Sequence, residues 1–309
     1  MKKHYLIVLL VLFMLGLLSN SNAQSPAPVI KPENLKQLML DEDTLKACAD
    51  SIINGEQDII RQTYCYRFIR KLVQTLKIPQ SYYYTFDSLK SISILESPDN
   101  KFRIFTWNVP RNNGTFRYFG AIQMNDPKKL TLYPLFDYSP LIRNEEDTVC
   151  KADSWYGCMY YKIIPKVVGS KTYYTLFGWK GYNARELKKV MDVLSFGSDK
   201  KPVFGATALI QVKRDGKLKY VHRFVLCYNK YANVTLNYYD ATNQIIFDHL
   251  ITKAAMNGKT DMPGKPRGFD LLPDGTYEAF EWRDNKWKYV EELQNVQYES
   301  APVPVPVFK

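Results

Sequence analysis

PDGTYEAFEWRDNKW, Pro273 to Trp287, decides how the chain is read. Asp274-Gly275 is a turn signal, polar and apolar residues alternate from Tyr277 to Trp282, and a second alternating run follows Asp284-Asn285. Side chains on a strand alternate between its two faces, so the stretch is predicted to be a β-hairpin closed by a tight Asp-Asn turn. Phe280 and Trp282 then share one face with Glu278, Tyr277 and Ala279 share the other with Glu281, and Trp287 points the same way as Tyr289. Trp282 and Trp287 face one another as a cross-strand pair, which stabilises by roughly 0.2–1 kcal/mol over alanine. Two uses fit this pattern. It is an aromatic platform for a sugar ring or peptide, with Glu278 or Glu281 accepting a hydrogen bond, or it is a sheet face packed into the core.

The same grammar recurs upstream. FRIFTWNV and TFRYFGAIQM flank Arg111 to Gly114, MYYKIIPKVV and TYYTLFGW flank Gly169 to Lys171, and ATALIQVK and LKYVHRFVLCY flank Arg214 to Lys217. VTLNYY and IIFDHL flank Asp240 to Gln244, and TYEAFEW and KWKYVEE flank Arg283 to Asn285. Successive hairpins imply local antiparallel pairing, with turns too varied for a repeat of fixed period. Asn183 to Leu194 interrupts the series and, with its Asn-Ala-Arg-Glu start, reads as a short helix. Before Leu89 the period changes. Leu35, Leu38, Met39, Leu45, Cys48 and Ile52, then Ile60, Tyr64, Phe68, Leu72 and Leu76, recur at helical spacing, with Asn54-Gly55 as a stop and Pro79 as an end. The expected fold is mainly β with an N-terminal helical segment: a large antiparallel meander of hairpins, curled or sandwich-like. The expected organisation is a signal peptide (1–23), a Pro-rich linker (24–32), a helical segment (33–90), an antiparallel β-rich domain (91–295) and an extended Pro/Val tail (296–309).

Lys2-Lys3, the apolar run Leu6 to Leu18, and Ser21 and Ala23 at the −3 and −1 positions form the three parts of a secretory signal peptide. Export to the periplasm or the extracellular space is predicted, with cleavage before Gln24 and no transmembrane segment afterwards. The first cysteine, Cys48, lies too far on for a lipid anchor. Losing Lys2 and Lys3 lowers the formal charge from +11 to +9. Basic residues alternate with apolar ones along strands, as in KLKYVHRF, and form no long run, so a nucleic-acid partner is not expected.

In an oxidising compartment the odd cysteine count leaves at least one thiol unpaired. Cys150 and Cys158 flank a turn-rich loop and are the predicted disulfide. Cys48 and Cys65 lie on apolar faces of successive helices and are a second candidate pair, while Cys227 reads as a buried small hydrophobe. No spacing resembles a metal site, and no nucleotide or cofactor fingerprint appears. His222 and His249 are the only histidines beyond the signal peptide. Asp248 and His249 alternate across a strand and cannot pair directly unless a bulge intervenes. Paired carboxylates are the remaining route to catalysis, with Asp240, Asp270, Asp274, Glu278 and Glu281 as candidates. Two sequons, at Asn113 and Asn233, carry little weight in a chain with a bacterial style of signal peptide.

A signal peptide ending SNAQ, the segments YYTLFGWKGYN and PVFGA, and FDHL followed by PDGTYEAFEW together resemble uncharacterised exported proteins of Bacteroidetes-type bacteria. The resemblance spans about Trp155 to Glu292 and implies a cell-envelope setting, with no activity and no functional residues to transfer. The leading expectation is a non-catalytic exported protein that binds an envelope protein, peptide or glycan. Its candidate ligand residues are Trp179 and Tyr182 around Gly181, with Tyr277, Trp282 and Trp287. An envelope hydrolase using paired carboxylates and a structural subunit of an envelope assembly are the alternatives.

Overall fold

The computed structural model describes residues 29–126, 128–260, 266–291 and 293. The expected signal peptide, most of the linker and the tail lie outside the described residues. Helix α1 (Pro32–Asn54) begins with a proline in its first turn and stops at Gly55; helix α2 (Asp58–Leu76) follows at once. Leu38, Leu45 and Ile52 of α1 bury against Cys65, Phe68 and Leu72 of α2. The buried Asp41 carboxylate fixes the register between them by accepting from Lys71 at 2.5 Å and Thr75 at 2.8 Å.

Three sheets follow. Sheet 1 is a simple meander of β1 (Ser93–Glu96), β2 (Phe102–Pro110), β3 (Phe116–Met124) and β4 (Leu132–Phe136). Sheet 2 contains β5 (Cys150–Lys151), β6 (Met159–Val168), β7 (Lys171–Gly181), β8 (Glu186–Phe196) and β9 (Pro202–Phe204), in the order β5-β9-β8-β7-β6. The next strands in the chain are β10 (Ile210–Arg214), β11 (Lys217–Val221), β12 (Phe224–Asn229), β13 (Leu236–Tyr239), β14 (Gln244–Thr252), β15 (Leu271–Arg283) and β16 (Lys286–Val290). All but β12 form sheet 3, in the order β11-β10-β16-β15-β14-β13, while β12 returns to pair with β8. The strand β16 joins β10 in parallel, with Ile210 opposite Trp287 and Trp287 N–H donating to Leu209 O at 2.8 Å.

The result is four layers. The helical hairpin packs on sheet 1 through Phe105, Trp107 and Val109. Sheet 1 packs on sheet 2 through Phe102, Ile104, Tyr118 and Ile122 against Tyr174, Leu176, Val190 and Leu194. The other face of sheet 2, with Phe177, Met191, Val193 and Phe224 of the paired β12, meets Val212, Phe247, Phe280 and Trp287. The chain is mainly β with an N-terminal helical segment and antiparallel sheets, as expected, and the hairpins form where the turns predict them. Asp284 (φ 52°) and Asn285 (φ 59°) are both left-handed, and Trp282 pairs directly with Trp287. That is the two-residue turn whose twist matches its strands.

Three expectations are corrected. Residues 186–196 are strand β8, not the end of a helix. ELKKVMDVLSF mimics helical spacing because charged residues are buried on both faces of a central strand. The Asn183 side chain, read as a helix cap, accepts from Arg185 N and Glu186 N inside the β7–β8 turn. LKYVHRFVLCY is two strands in two sheets, broken at His222-Arg223, whose N–H groups both donate to Glu146 O. Cys150 and Cys158 are free, buried thiols. β5 lies at one edge of sheet 2 and β6, directly after Cys158, lies at the other. Cys158 Sγ sits over Gly178 of β7, where an added Cβ would lie 2.6 Å away. Cys48 and Cys65 are free as well; Cys65 accepts instead from Trp107 Nε1 at 3.4 Å.

Candidate functional site

The β2–β3 turn lies over the start of α2, and a cleft of about 270 Å³ opens between them. Its lining is Asp58 and Gln62 of α2, Val109 and Pro110 at the end of β2, Arg111 and Asn113 in the turn, and Arg117 and Phe119 on β3. Pro110 has no N–H to donate. The turn closes by Gly114 N–H to Arg111 O at 2.9 Å, with Gly114 at φ +78° pressed against Ala184, so both conformation and space call for glycine. Asn113 is held by accepting from Thr115 N–H and Oγ.

The turn is pinned to the helix by Arg61, which is buried and donates to Gly55 O at 2.9 Å as well as to Asp58 and Asn112. Asp58 accepts from Asn112 N–H at 2.9 Å. Hydrogen bonds from Arg61 first, and from Asn112 second, hold its carboxyl below the usual carboxylate range. Asp58 is thereby committed to structure. The two remaining cations of the cleft, Arg111 and Arg117, are exposed and form no ion pair among the described residues. Arg117 lies 5.3 Å from the Phe119 ring centre, and Phe119 stacks on Trp107 at 5.9 Å and 13°. The cleft therefore offers two guanidiniums above an apolar floor of Val109, Pro110 and Phe119. Guanidinium forks bind carboxylate, sulfate or phosphate oxygens, and the floor accepts a side chain or the apolar face of a sugar ring. Nothing in the lining is a nucleophile or an uncommitted general base.

The aromatic candidates are distributed differently. Trp287 is fully buried, donates through Nε1 to Thr175 Oγ1 at 2.9 Å, and meets Trp282 at 5.1 Å and 69°. The Trp282–Trp287 pair is part of the sandwich core, and its open side is closed by the chain's own cation. Lys166 Nζ lies 5.4, 5.5 and 5.0 Å from the rings of Tyr238, Trp282 and Trp287, and donates to Asn243 Oδ1 at 2.5 Å. Burial lowers the Lys166 pKa, though Asp240 opposes this. Trp179 is buried against Phe116 at 5.7 Å. Tyr182 is exposed over Lys188 at 3.7 Å, and Tyr277 is half-buried on β15. The structure does not bring these five residues into one site.

The candidate acids do not converge either. Glu278 accepts from Tyr289, Glu281 pairs with Arg283 at 3.2 Å, and Asp274 meets His249 Nδ1 at 2.8 Å. The register slips between Asp248 and Leu250, and Asp248 turns away to accept from Thr235 N–H at 2.6 Å. His222 Nδ1 meets Gly205 O. Arg111 and Arg117 were missed in the sequence because one reads as a turn residue and the other as a solvated strand position. Their placement on both sides of Asn112-Asn113-Gly114 was the available signal. Among the described residues no cluster of His, Cys, Asp or Glu is arranged to hold a metal ion, and no helix is long and apolar enough to cross a membrane. No protein-family model, curated protein or solved structure matches this chain.

Proposed function

We propose that this chain is an exported cell-envelope binding protein whose ligand is a peptide or glycan bearing an anionic group beside an apolar face. The observation that carries the reading is the cleft at the β2–β3 turn, where Arg117 lies over Phe119, Arg111 lines the same cleft, and neither forms an ion pair among the described residues. A ligand carboxylate there exchanges water for charge-assisted hydrogen bonds, while the floor removes apolar surface from water. The test is titration calorimetry with acidic oligosaccharides and with peptides ending in a free carboxylate, each beside its neutral amide or ester. Binding that needs the carboxylate, weakens with salt and falls at least tenfold in both Arg111→Ala and Arg117→Ala supports the reading. Equal affinity for charged and neutral forms, or binding unchanged in the two variants, overturns it.

A further inference from the structure

Sheet 2 buries three lysines whose surroundings differ. Lys188 Nζ is held by both oxygens of Glu145, at 2.9 and 2.8 Å. Lys189 faces the Tyr161 ring at 5.0 Å. Lys180 is 4% exposed, and among the described residues no carboxylate lies within ion-pair distance of it. Its Nζ donates to Gly157 O at 2.5 Å and Ser139 Oγ at 2.9 Å, with the Tyr118 and Tyr156 rings 4.2 and 4.9 Å away. Ser139 is half-buried and flanked by Tyr138 and Leu141, which are 48% and 67% exposed.

The turn at Ser139 does not need this lysine to hold its shape. Asp137 already accepts from Tyr118 N–H at 3.1 Å, Ser139 N–H at 3.0 Å and Gly157 N–H at 3.3 Å. Burying an ammonium on one carbonyl and one hydroxyl is costly, whereas a buried amine touching a hydroxyl is how a weak nucleophile is activated. Burial brings the Lys180 pKa down to about 8; Asp137, Cys158 and Glu145 raise it, and Lys188 lowers it.

We propose that Ser139 and Lys180 form a nucleophile–base pair for acyl transfer to water, acting on an ester or amide with an apolar or aromatic acyl group. Neutral Lys180 takes the Ser139 hydroxyl proton as Oγ bonds to the substrate carbonyl carbon and the carbonyl π electrons move to oxygen. Collapse breaks the bond to the leaving alcohol or amine, which departs with the proton from Lys180. Water then attacks the acyl-serine with Lys180 as base, releasing the acid and restoring Ser139. The sum is ester plus water to acid plus alcohol, with no redox change. Ser139 N–H and Gly157 N–H converge on Asp137 Oδ1, which also accepts from Ser139 Oγ at 2.5 Å. Two converging N–H groups are the donor geometry an oxyanion requires. Asp137 fills that seat at rest, and substrate enters by displacing it. Tyr138 and Leu141 supply the apolar rim for the acyl group.

The experiment treats the purified protein with an alkyl fluorophosphonate and maps adducts by peptide mass spectrometry from about pH 6 to pH 10. The expected adduct is on Ser139, formed faster as pH rises through about 8, and absent in Ser139→Ala. Lys180→Met slows labelling by about 10²–10⁴-fold. Asp137→Asn keeps the shape, removes a charge that favours protonated Lys180, and moves the midpoint to lower pH, a shift that a merely structural Lys180 does not produce. No adduct on Ser139, or equal labelling in a folded Lys180→Met variant, overturns the proposal. If that variant does not fold, an unmoved midpoint in Asp137→Asn overturns it. Ligand binding at Arg111 and Arg117 is read separately, so either proposal can fail alone.

Discussion

On β8, Lys188 and Asp192 point toward sheet 1, while Lys189, Met191 and Val193 point toward sheet 3. Toward sheet 1 the buried charges are answered by a network. Asp192 pairs with Arg223 at 3.0 Å with both side chains fully buried, and accepts from Tyr160 at 3.1 Å. Arg223 donates to Glu145 O at 2.7 Å and lies 4.6 Å from the Tyr156 ring. Most of the partners come from residues 137–158, the irregular stretch between sheets 1 and 2. Toward sheet 3 the burial is aromatic and aliphatic, around Phe224, Phe247, Phe280 and Trp287, and among the described residues Lys189 forms no ion pair, with the Asp248 charge acting on it from farther off. One strand thus serves a polar seam and an apolar seam. What separates them is whether an irregular segment lies within reach to supply carbonyls and carboxylates.

The largest effects should come from cutting each seam at its centre. Arg223→Met leaves the Asp192 charge buried and unpaired and is expected to cost about 3–5 kcal/mol. Trp287→Ala opens a cavity of similar cost, about 3–5 kcal/mol. Urea unfolding tells them apart through rescue: Asp192→Leu combined with Arg223→Met should recover most of the loss, because apolar groups replace a buried pair at little net cost. An Arg223→Met loss below about 1 kcal/mol would break the comparison.

A smaller effect of opposite sign is expected at Lys189. Burial lowers its pKa from 10.5 to about 8, with Asp248 opposing. The folded protein therefore resists protonation, a penalty present below about pH 8 and relieved as pH rises from about 8 to 10.5. Lys189→Met should be stabilising by about 1–2 kcal/mol near neutrality, with the gain shrinking across that window in denaturant melts.

The smallest effect belongs to Glu145. Burial raises its pKa, but the charge and hydrogen bond of Lys188, and the Tyr156 hydroxyl, bring it below the ordinary value of 4.5. Its contribution is present above that value and lost as pH falls through the depressed folded value. The wild-type Tm should fall more steeply than that of Glu145→Gln on acidification, by roughly 2–4 °C. Parallel curves would remove Glu145 from the polar seam.

The hairpins were legible because turn chemistry is local: Arg214 to Lys217 and Arg283 to Asn285 each announce a reversal, and alternation supplies the strands. The Trp282–Trp287 pairing was legible for the same reason. Its destination was not, since a strand pattern reveals which side chains share a face but not what covers that face. Lys166 comes from a different sheet, and nothing near Trp282 in sequence points to it. β8 misled because alternation presumes one wet face, and a strand covered on both sides has none. Ser139 and Lys180 were invisible for a related reason: their contact joins a turn to a buried strand and has no spacing signature.

The parallel bridge between β10 and β16 also governs the order in which the molecule can be made. As the chain emerges from its N-terminus, the helical hairpin and sheet 1 can close early, each from neighbours in sequence. The β10–β11 hairpin cannot, because among the described residues its partner within sheet 3 is β16, far along the chain. A free two-stranded hairpin is marginal in water. Lengthening the closing loop adds only about 0.6 kcal/mol per doubling, so the burden falls on rate rather than on final stability. A chain clipped between Arg283 and Lys286 loses Trp287 and leaves that hairpin without its sheet partner. The edge of β10 would then stand open, so a single parallel bridge makes this hairpin depend on a strand far from it in sequence.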